Sequence, residues 1–231
     1  MFRSIFVGAS WLIVLSWSLL IVLMSVPYYL PGIVPAFIAE RPEVTNDPVW
    51  RAALLTHIVG GVICLLSGPL LVWNLVLRKS KRLHRWLGWI YVVAVLGWGG
   101  PTGIYLSLSA KGGAWGVAGF LVTGIAWIGV TAAGLQTIRA GKLTEHIRWM
   151  IRSYALTVSA VFFRLFYLAF YLSGASETPS YILSIWFSFL ASIAVGEYFV
   201  VRSGKHELRE LATSLQTRTS PKLASGQGVA S

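Results

Sequence analysis

The sequence predicts an all-α, polytopic integral membrane bundle of six transmembrane helices with both termini in the cytoplasm. Three observations predict it. Of 231 residues, 56% are hydrophobic and only 12% charged. A soluble globular chain carries roughly 25% charged residues, so a soluble fold would lack the polar side chains to cover its surface. The mean hydropathy of +0.70 agrees. Second, six apolar stretches approach the about 20 residues of helix needed to cross a hydrocarbon core about 30 Å thick. Third, the 19 basic residues outnumber 8 acidic ones, for a net charge of +11, and they crowd onto alternate connections. Eleven Trp, nine Tyr and 23 Gly suit helices that stop at membrane interfaces and pack closely. The composition excludes a soluble enzyme, a secreted disulfide scaffold and a disordered tail.

The first span covers about 5–26. Its apolar run exceeds the 7–15 residues of a signal-peptide core, only Arg3 precedes it, and no small-x-small site follows closely. It is read as an uncleaved helix. The connection 27–51 is Pro-rich and acidic (Pro27, Pro31, Pro35, Pro42 and Pro48, with Glu40, Glu43 and Asp47). It is too short for a soluble domain, so the bundle, 1–201, is the one domain. The second span, about 52–77, carries His57 and then Gly60, Gly61, Cys64, Ser67 and Gly68, small residues that permit close helix contact. Cys64 is the single cysteine, which rules out a disulfide within the chain and a Cys-rich metal site.

The third span, about 87–108, contains Gly97, Gly99, Gly100, Pro101 and Gly103. That run predicts a kink or broken turn near its outer end. The fourth, about 115–138, has no fixed charge. The fifth, about 149–172, holds the one deep fixed charge, Arg164, which is costly in a span and marks a functional position by default. The sixth, about 181–201, ends near Glu197, which pairs most simply with Arg152 or another inner arginine. Beyond 202, Leu208, Leu211 and Leu215 predict a brief amphipathic interfacial helix, followed by a Ser/Thr/Gly/Gln stretch that reads as disordered.

Arg78, Lys79, Lys81, Arg82 and Arg85 lie in one connection, Arg139, Lys142 and Arg148 in another, and Arg202, Lys205, Arg209, Arg218 and Lys222 in the tail. The opposite side has only Arg41, Arg51 and Lys111, with four of the eight acids. The positive-inside rule therefore places both termini in the cytoplasm of a multi-pass inner (plasma) membrane protein. The basic excess is topology, not a nucleic-acid footprint, because no basic stripe with interleaved aromatics is present. Anionic lipid headgroups are the expected partners of the basic loops, and a membrane protein partner or homo-oligomer is open.

Facing positions in a bundle repeat near every 3.5 residues. From His146 this step selects Met150, Ser153, Thr157, Ala160, Arg164, Tyr167 and Tyr171; from His84 it selects Gly88, Tyr91, Val95, Trp98, Thr102 and Tyr105. The local sequences also correspond: His84-Arg85-Trp86-Leu87 before Tyr91, and His146-Ile147-Arg148-Trp149-Met150 before Tyr154. Two readings stand, an internal duplication relating spans 2–3 to spans 4–5 and an Arg-Trp anchor common to helices leaving the cytoplasm. His57 enters its span from the outside, about 30 Å from the inner end at 1.5 Å per residue. It therefore cannot share a ligand sphere with His84 or His146. Arg164 lies at the depth of His57, so a polar pocket of His57, Arg164, Tyr167, Tyr105 and Thr102 is geometrically allowed. The plainer readings are interfacial caps for His84 and His146, a satisfied core imidazole for His57, and a snorkelling side chain for Arg164.

His57, His84-Arg85-x-x-Gly88-x-x-Tyr91, His146-x-Arg148-Trp149-Met150-x-Arg152-Ser153-Tyr154 and Arg164 together resemble a bacterial family of membrane proteins, domain of unknown function 2306. The resemblance runs over roughly 52–200 and implies the topology without a reaction. A remoter similarity, to the diheme cytochrome b superfamily, implies haem held between histidines on facing helices. Only His84 with His146 offers such a pair here.

Three functions are open. The first is a redox, electron-transfer component that binds b-type haem or a quinone. Its cofactor-binding residues would be His84, His146, His57, Arg164, Tyr91, Tyr105 and Tyr167, with His84 and His146 as haem-iron ligands. The second is a non-catalytic assembly or scaffolding protein. The third is a transporter of a small anionic or lipid-like solute, partnered by Arg164. No catalytic triad, Walker loop, H-E-x-x-H or dinucleotide fingerprint is present, so no reaction is assigned.

Overall fold

A computed structural model of the chain describes residues 15–33, 35–72 and 80–219. Among them the chain is helical, with no strand. Five helices are long and apolar enough to cross a membrane: α2 (Pro48–Val72), α3 (Lys81–Ser107), α4 (Gly113–Arg139), α5 (Leu143–Leu172) and α6 (Glu177–Thr219). Before them runs α1 (Leu15–Tyr29), apolar but shorter than a span over its described length. The expected start of the first span, residues 5–14, lies outside the described residues, as do Arg3, Arg78, Lys79 and the expected disordered stretch from residue 220.

The helices start earlier than hydropathy alone suggests. The Ser80 hydroxyl accepts the Leu83 N–H at 3.1 Å, an N-cap that begins α3 six residues before the apolar run. At the same end Gly141, with φ +74, turns the chain from α4 into α5 as only glycine does readily. His84 and His146 therefore lie within helices rather than in loops. The tail is also continuous: α6 passes residue 201 unbroken to Thr219.

Two spans deviate from regular α-helix. Residues Ala94–Gly99 of α3 form a π-helical stretch, where the sequence predicts a kink. Pro101 has no N–H to donate and its ring crowds the carbonyl four residues back. One widened turn absorbs the mismatch without breaking the helix. In α5 the helix loosens for one residue at Val158, between Leu143–Thr157 and Ser159–Leu172. The Val158 N–H still reaches the Tyr154 carbonyl and the Phe162 N–H the Val158 carbonyl, so the seam from His146 to Tyr171 stays on one helix.

The packing is that of a membrane bundle. Among the described residues, every buried polar one is a Ser or Thr, including Ser67, Thr131, Ser153 and Thr157. Large apolar side chains such as Leu19, Leu23, Trp86, Ile125, Leu172 and Leu190 face outward. Lipid is as apolar as leucine, so helix contact rests on close approach and hydrogen bonds rather than on water exclusion. One core joins Cys64, Tyr91, Val95, Trp127 and Leu156; a second seats Ile21 of α1 against Leu65, Val158 and Val161. Along α6, Ser180, Ser184, Ser188 and Ser192 are buried, and each hydroxyl returns to a carbonyl of its own helix. This small-residue stripe lets α6 lie close to its neighbours without stranding a donor.

The connection before α2 is ordered around α3. Arg41 donates to the Ser109 carbonyl at 2.6 Å, and the Trp50 indole N–H donates to the Ser109 hydroxyl at 2.7 Å. Lys111 and His84 mark opposite ends of the bundle.

Near the His84 end, Glu197 of α6 accepts a fork from Arg152 of α5, Nε at 2.6 Å and Nη2 at 2.9 Å, the pairing expected from sequence. The Arg152 guanidinium also lies 4.8 Å from the centre of the Trp149 ring. Both partners are partly exposed, so Glu197→Gln is expected to cost under about 1 kcal/mol. A thermal unfolding midpoint lowered by more than a few degrees in detergent would contradict that valuation.

Candidate functional site

The polar interior centres on Tyr91. Its hydroxyl lies 2.8 Å from both Ser153 Oγ and Thr157 Oγ1 of α5. Trp127 of α4 donates its indole N–H to Thr157 Oγ1 at 3.0 Å. Thr131 Oγ1 lies 2.7 Å from Ser153 Oγ and donates to the Trp127 carbonyl at 2.7 Å. The Trp127 carbonyl can only accept the Thr131 proton and the Trp127 indole N–H can only donate, and together these set the direction of the whole set. Donation runs from Trp127 to Thr157, Tyr91, Ser153 and Thr131, and returns to the Trp127 carbonyl. Each hydroxyl gives once and receives once, so the circuit ties three helices together and leaves the Tyr91 hydroxyl committed within it. Tyr91, Ser153 and Thr157 were legible as seam residues. Trp127 and Thr131 were not, because one indole and one Thr in an apolar span carry no pattern.

His57 sits where α2 crosses the π-helical stretch. Its Nδ1 lies 2.8 Å from the Gly99 carbonyl. A carbonyl can only accept, so Nδ1 carries the proton and Nε2 the lone pair. Thr102 Oγ1 lies 3.4 Å from the same carbonyl and donates to Trp98 O at 2.5 Å. Gly103 gives the ring its space: a Cβ there would stand 2.9 Å from His57 Cε1. Arg164 and His57 are within electrostatic reach of one another, and Arg164 feels Tyr28 of α1 as well. The Arg164 Nη1 donates to its own helix at Ala160 O, 2.8 Å away.

Of the residues expected to share a polar pocket, His57 and Thr102 meet at the Gly99 carbonyl and Arg164 lies within electrostatic reach of His57. Tyr105 is 39% exposed on the outer surface of α3. Tyr167 stacks on Phe163 and meets Tyr181 of α6 edge-on.

His84 and His146 do come together, close enough for their charges to interact. His146 Nδ1 lies 2.8 Å from the Gly134 carbonyl of α4, so it too is the donor and Nε2 keeps the lone pair. His84 Nδ1 is buried and has no hydrogen-bond partner. Arg139 of α4 covers the face of Trp89, one turn beyond His84, at 5.7 Å. Among the described residues no group of three or more His, Cys, Asp or Glu could hold a metal ion.

The Lys111 end carries a cavity of about 300 Å³, lined by Glu40, Lys111, Phe163, Tyr167, Tyr171, Glu177 and Tyr181. Lys111 bridges Glu40 and Glu177. The hydrogen bond to Glu40, reinforced by that to Glu177, raises the lysine pKa above its ordinary value against the cost of burial. The ammonium therefore stays charged through the physiological range. Sequence spacing singled out Tyr167 and Tyr171 but not the carboxylates, which lie 71 and 66 residues from Lys111.

No curated protein and no solved structure matches the chain. A family model does: residues 54–200, more than half of the chain and all of its histidine and arginine motifs, match that of the predicted membrane proteins DUF2306, and the chain belongs to that family.

Proposed function

We propose that the protein is a redox component of the bacterial inner membrane that holds a b-type haem or a quinone at its His84 end, with that end and both termini facing the cytoplasm. One observation carries the reading: His84 and His146, on different helices, lie close enough for their charges to interact, and His84 keeps a buried ring nitrogen without a partner. A ligating histidine usually donates its other ring N–H to a carbonyl or carboxylate. His146 does so to Gly134, which orients its Nε2 lone pair. His84 supplies a buried nitrogen that has no partner in the protein. These donors fit haem iron, which needs two axial ligands rather than a larger cluster, and such ligation sets the group's potential for one-electron transfer. Arginines of the same end, Arg139 among them, would pair with propionates. For a quinone, a histidine N–H would serve a carbonyl oxygen. His57 stands apart, alone at its depth.

Purified protein given haemin is expected to show a Soret band that His84→Ala and His146→Ala each abolish and His57→Ala retains, with all variants still folded. The quinone form predicts no band but saturable quenching of tryptophan fluorescence by ubiquinone, lost in the same two variants. If neither ligand binds, the redox reading fails. The scaffolding reading then leads, favoured by the saturated circuit around Tyr91, whose groups are all spent on holding helices together.

A further inference from the structure

We propose that the cavity at the Lys111 end binds a small organic cation carrying a methylated ammonium group. This is independent of the histidine pair, which lies at the opposite end of the bundle. Two aromatic walls meet there. Phe163, Tyr167 and Tyr171 follow one another at every fourth residue of α5. Their rings are nearly parallel, at interplanar angles of 17° and 22° and centroid spacings of 6.1 and 6.4 Å. Tyr181 of α6 stands across them, at 87° to Phe163 and 85° to Tyr167, with centroids 5.4 and 6.3 Å away. A corner of this kind can present ring faces to a ligand from two directions. Those faces are electron-rich and attract alkylammonium groups.

The charges complete the selection. Glu40 and Glu177 flank Lys111, so two carboxylates against one ammonium leave one net negative charge at the rim. Lys111 engages Oε2 of Glu40 and Oε1 of Glu177, one oxygen of each. Of the other charged groups nearby, Arg41 and Glu43 pair with each other, Arg41 also donates to the Ser109 carbonyl, and Arg164, beside Phe163 but not in the cavity lining, donates to the Ala160 carbonyl. An anion would meet both a net negative rim and electron-rich rings. An uncharged ligand would gain nothing from the carboxylates. The volume of about 300 Å³ is at the small end for ligand pockets, suited to a headgroup-sized molecule. Such a group arrives either free in solution or as the headgroup of a choline lipid, since the cavity lies at the end of the spans.

The test is calorimetric titration of the full chain in phosphatidylglycerol nanodiscs with tetramethylammonium and with choline, against 3,3-dimethylbutan-1-ol as the uncharged isostere of choline. Saturable binding of both cations and none of the isostere is expected. Tyr167→Leu should weaken binding about tenfold, the equivalent of one cation–π contact, and Glu177→Gln should weaken it further, with both variants melting as the parent does. Repeating the titration in phosphatidylcholine nanodiscs separates the sources: suppressed choline binding identifies the lipid headgroup as occupant, and unchanged binding identifies the free cation. Absence of saturable cation binding, equal binding of the isostere, binding of inorganic phosphate at the same site, or indifference to both substitutions would overturn the proposal.

Discussion

Gly60→Val is expected to force α2 and α3 apart and to lower the stability of the bundle by several kcal/mol. A Cβ at Gly60 would stand 2.9 Å from the Gly99 Cα, 2.9 Å from Trp98 Cδ1 and 3.2 Å from the Gly99 nitrogen. Two of those three atoms are backbone, and backbone cannot rotate away as a side-chain tip can. Gly99 cannot retreat easily either, because it ends the π-helical stretch before Pro101. Overpacking a fitted core costs typically 1–3 kcal/mol. The displacement also stretches the His57–Gly99 hydrogen bond of 2.8 Å, which adds the penalty of an unpaired buried donor, about 1–3 kcal/mol. Gly61 supplies the control: a Cβ there meets nothing within 4 Å, so Gly61→Val should melt close to the parent. Equal thermal midpoints for the two valine variants would refute the crossing as the point of closest approach. Gly60→Ala should lie between them, since its single methyl already occupies the forbidden position.

That crossing also shows how far the sequence could be read. The glycine run around Pro101 announces a departure from regular helix, and a widened turn is what it becomes. His57 and Gly60 announce a close, polar face on α2. What cannot be read is that the two features meet, because the contact joins residues 42 apart in the chain and depends on helix rotation that hydropathy does not encode. His84 and His146 begin similar motifs at the same depth, and they lie within electrostatic range of one another. The 3.5-residue seam carries Arg164 within electrostatic reach of His57, whereas Tyr167, three residues on, packs against Phe163 and Tyr181. The Lys111 cavity was hidden from the sequence because it is assembled from two connections and the ends of two helices, and its charges lie far apart in the chain.

Tyr91 offers the most decisive separation of hydrogen bonding from packing in this bundle. Tyr91→Phe removes one hydroxyl and keeps the ring. Thr157 then loses its acceptor in the circuit but keeps the Ser153 carbonyl at 3.2 Å, and Ser153 still meets Thr131 at 2.7 Å. The loss should be small, because side-chain hydrogen bonds between membrane helices average about 0.6 kcal/mol and reach about 1.7. Tyr91→Ala removes the ring as well, from a residue only 1% exposed at the centre of the larger core. Aromatic-to-alanine changes in such positions cost about 3–5 kcal/mol through the cavity left behind. Unfolding measured by steric trapping in bilayers should therefore rank Ala well below Phe, with Phe near the parent. Near-equal losses would mean that the circuit, not the ring, carries the stability. A double-mutant cycle with Trp127→Phe decides between the two. The indole N–H and the tyrosine hydroxyl both end on Thr157 Oγ1, so a cooperative circuit predicts that the two substitutions together cost less than their sum. Strict additivity would make each bond independent. Tyr91 would then be an ordinary core aromatic whose hydroxyl is merely satisfied.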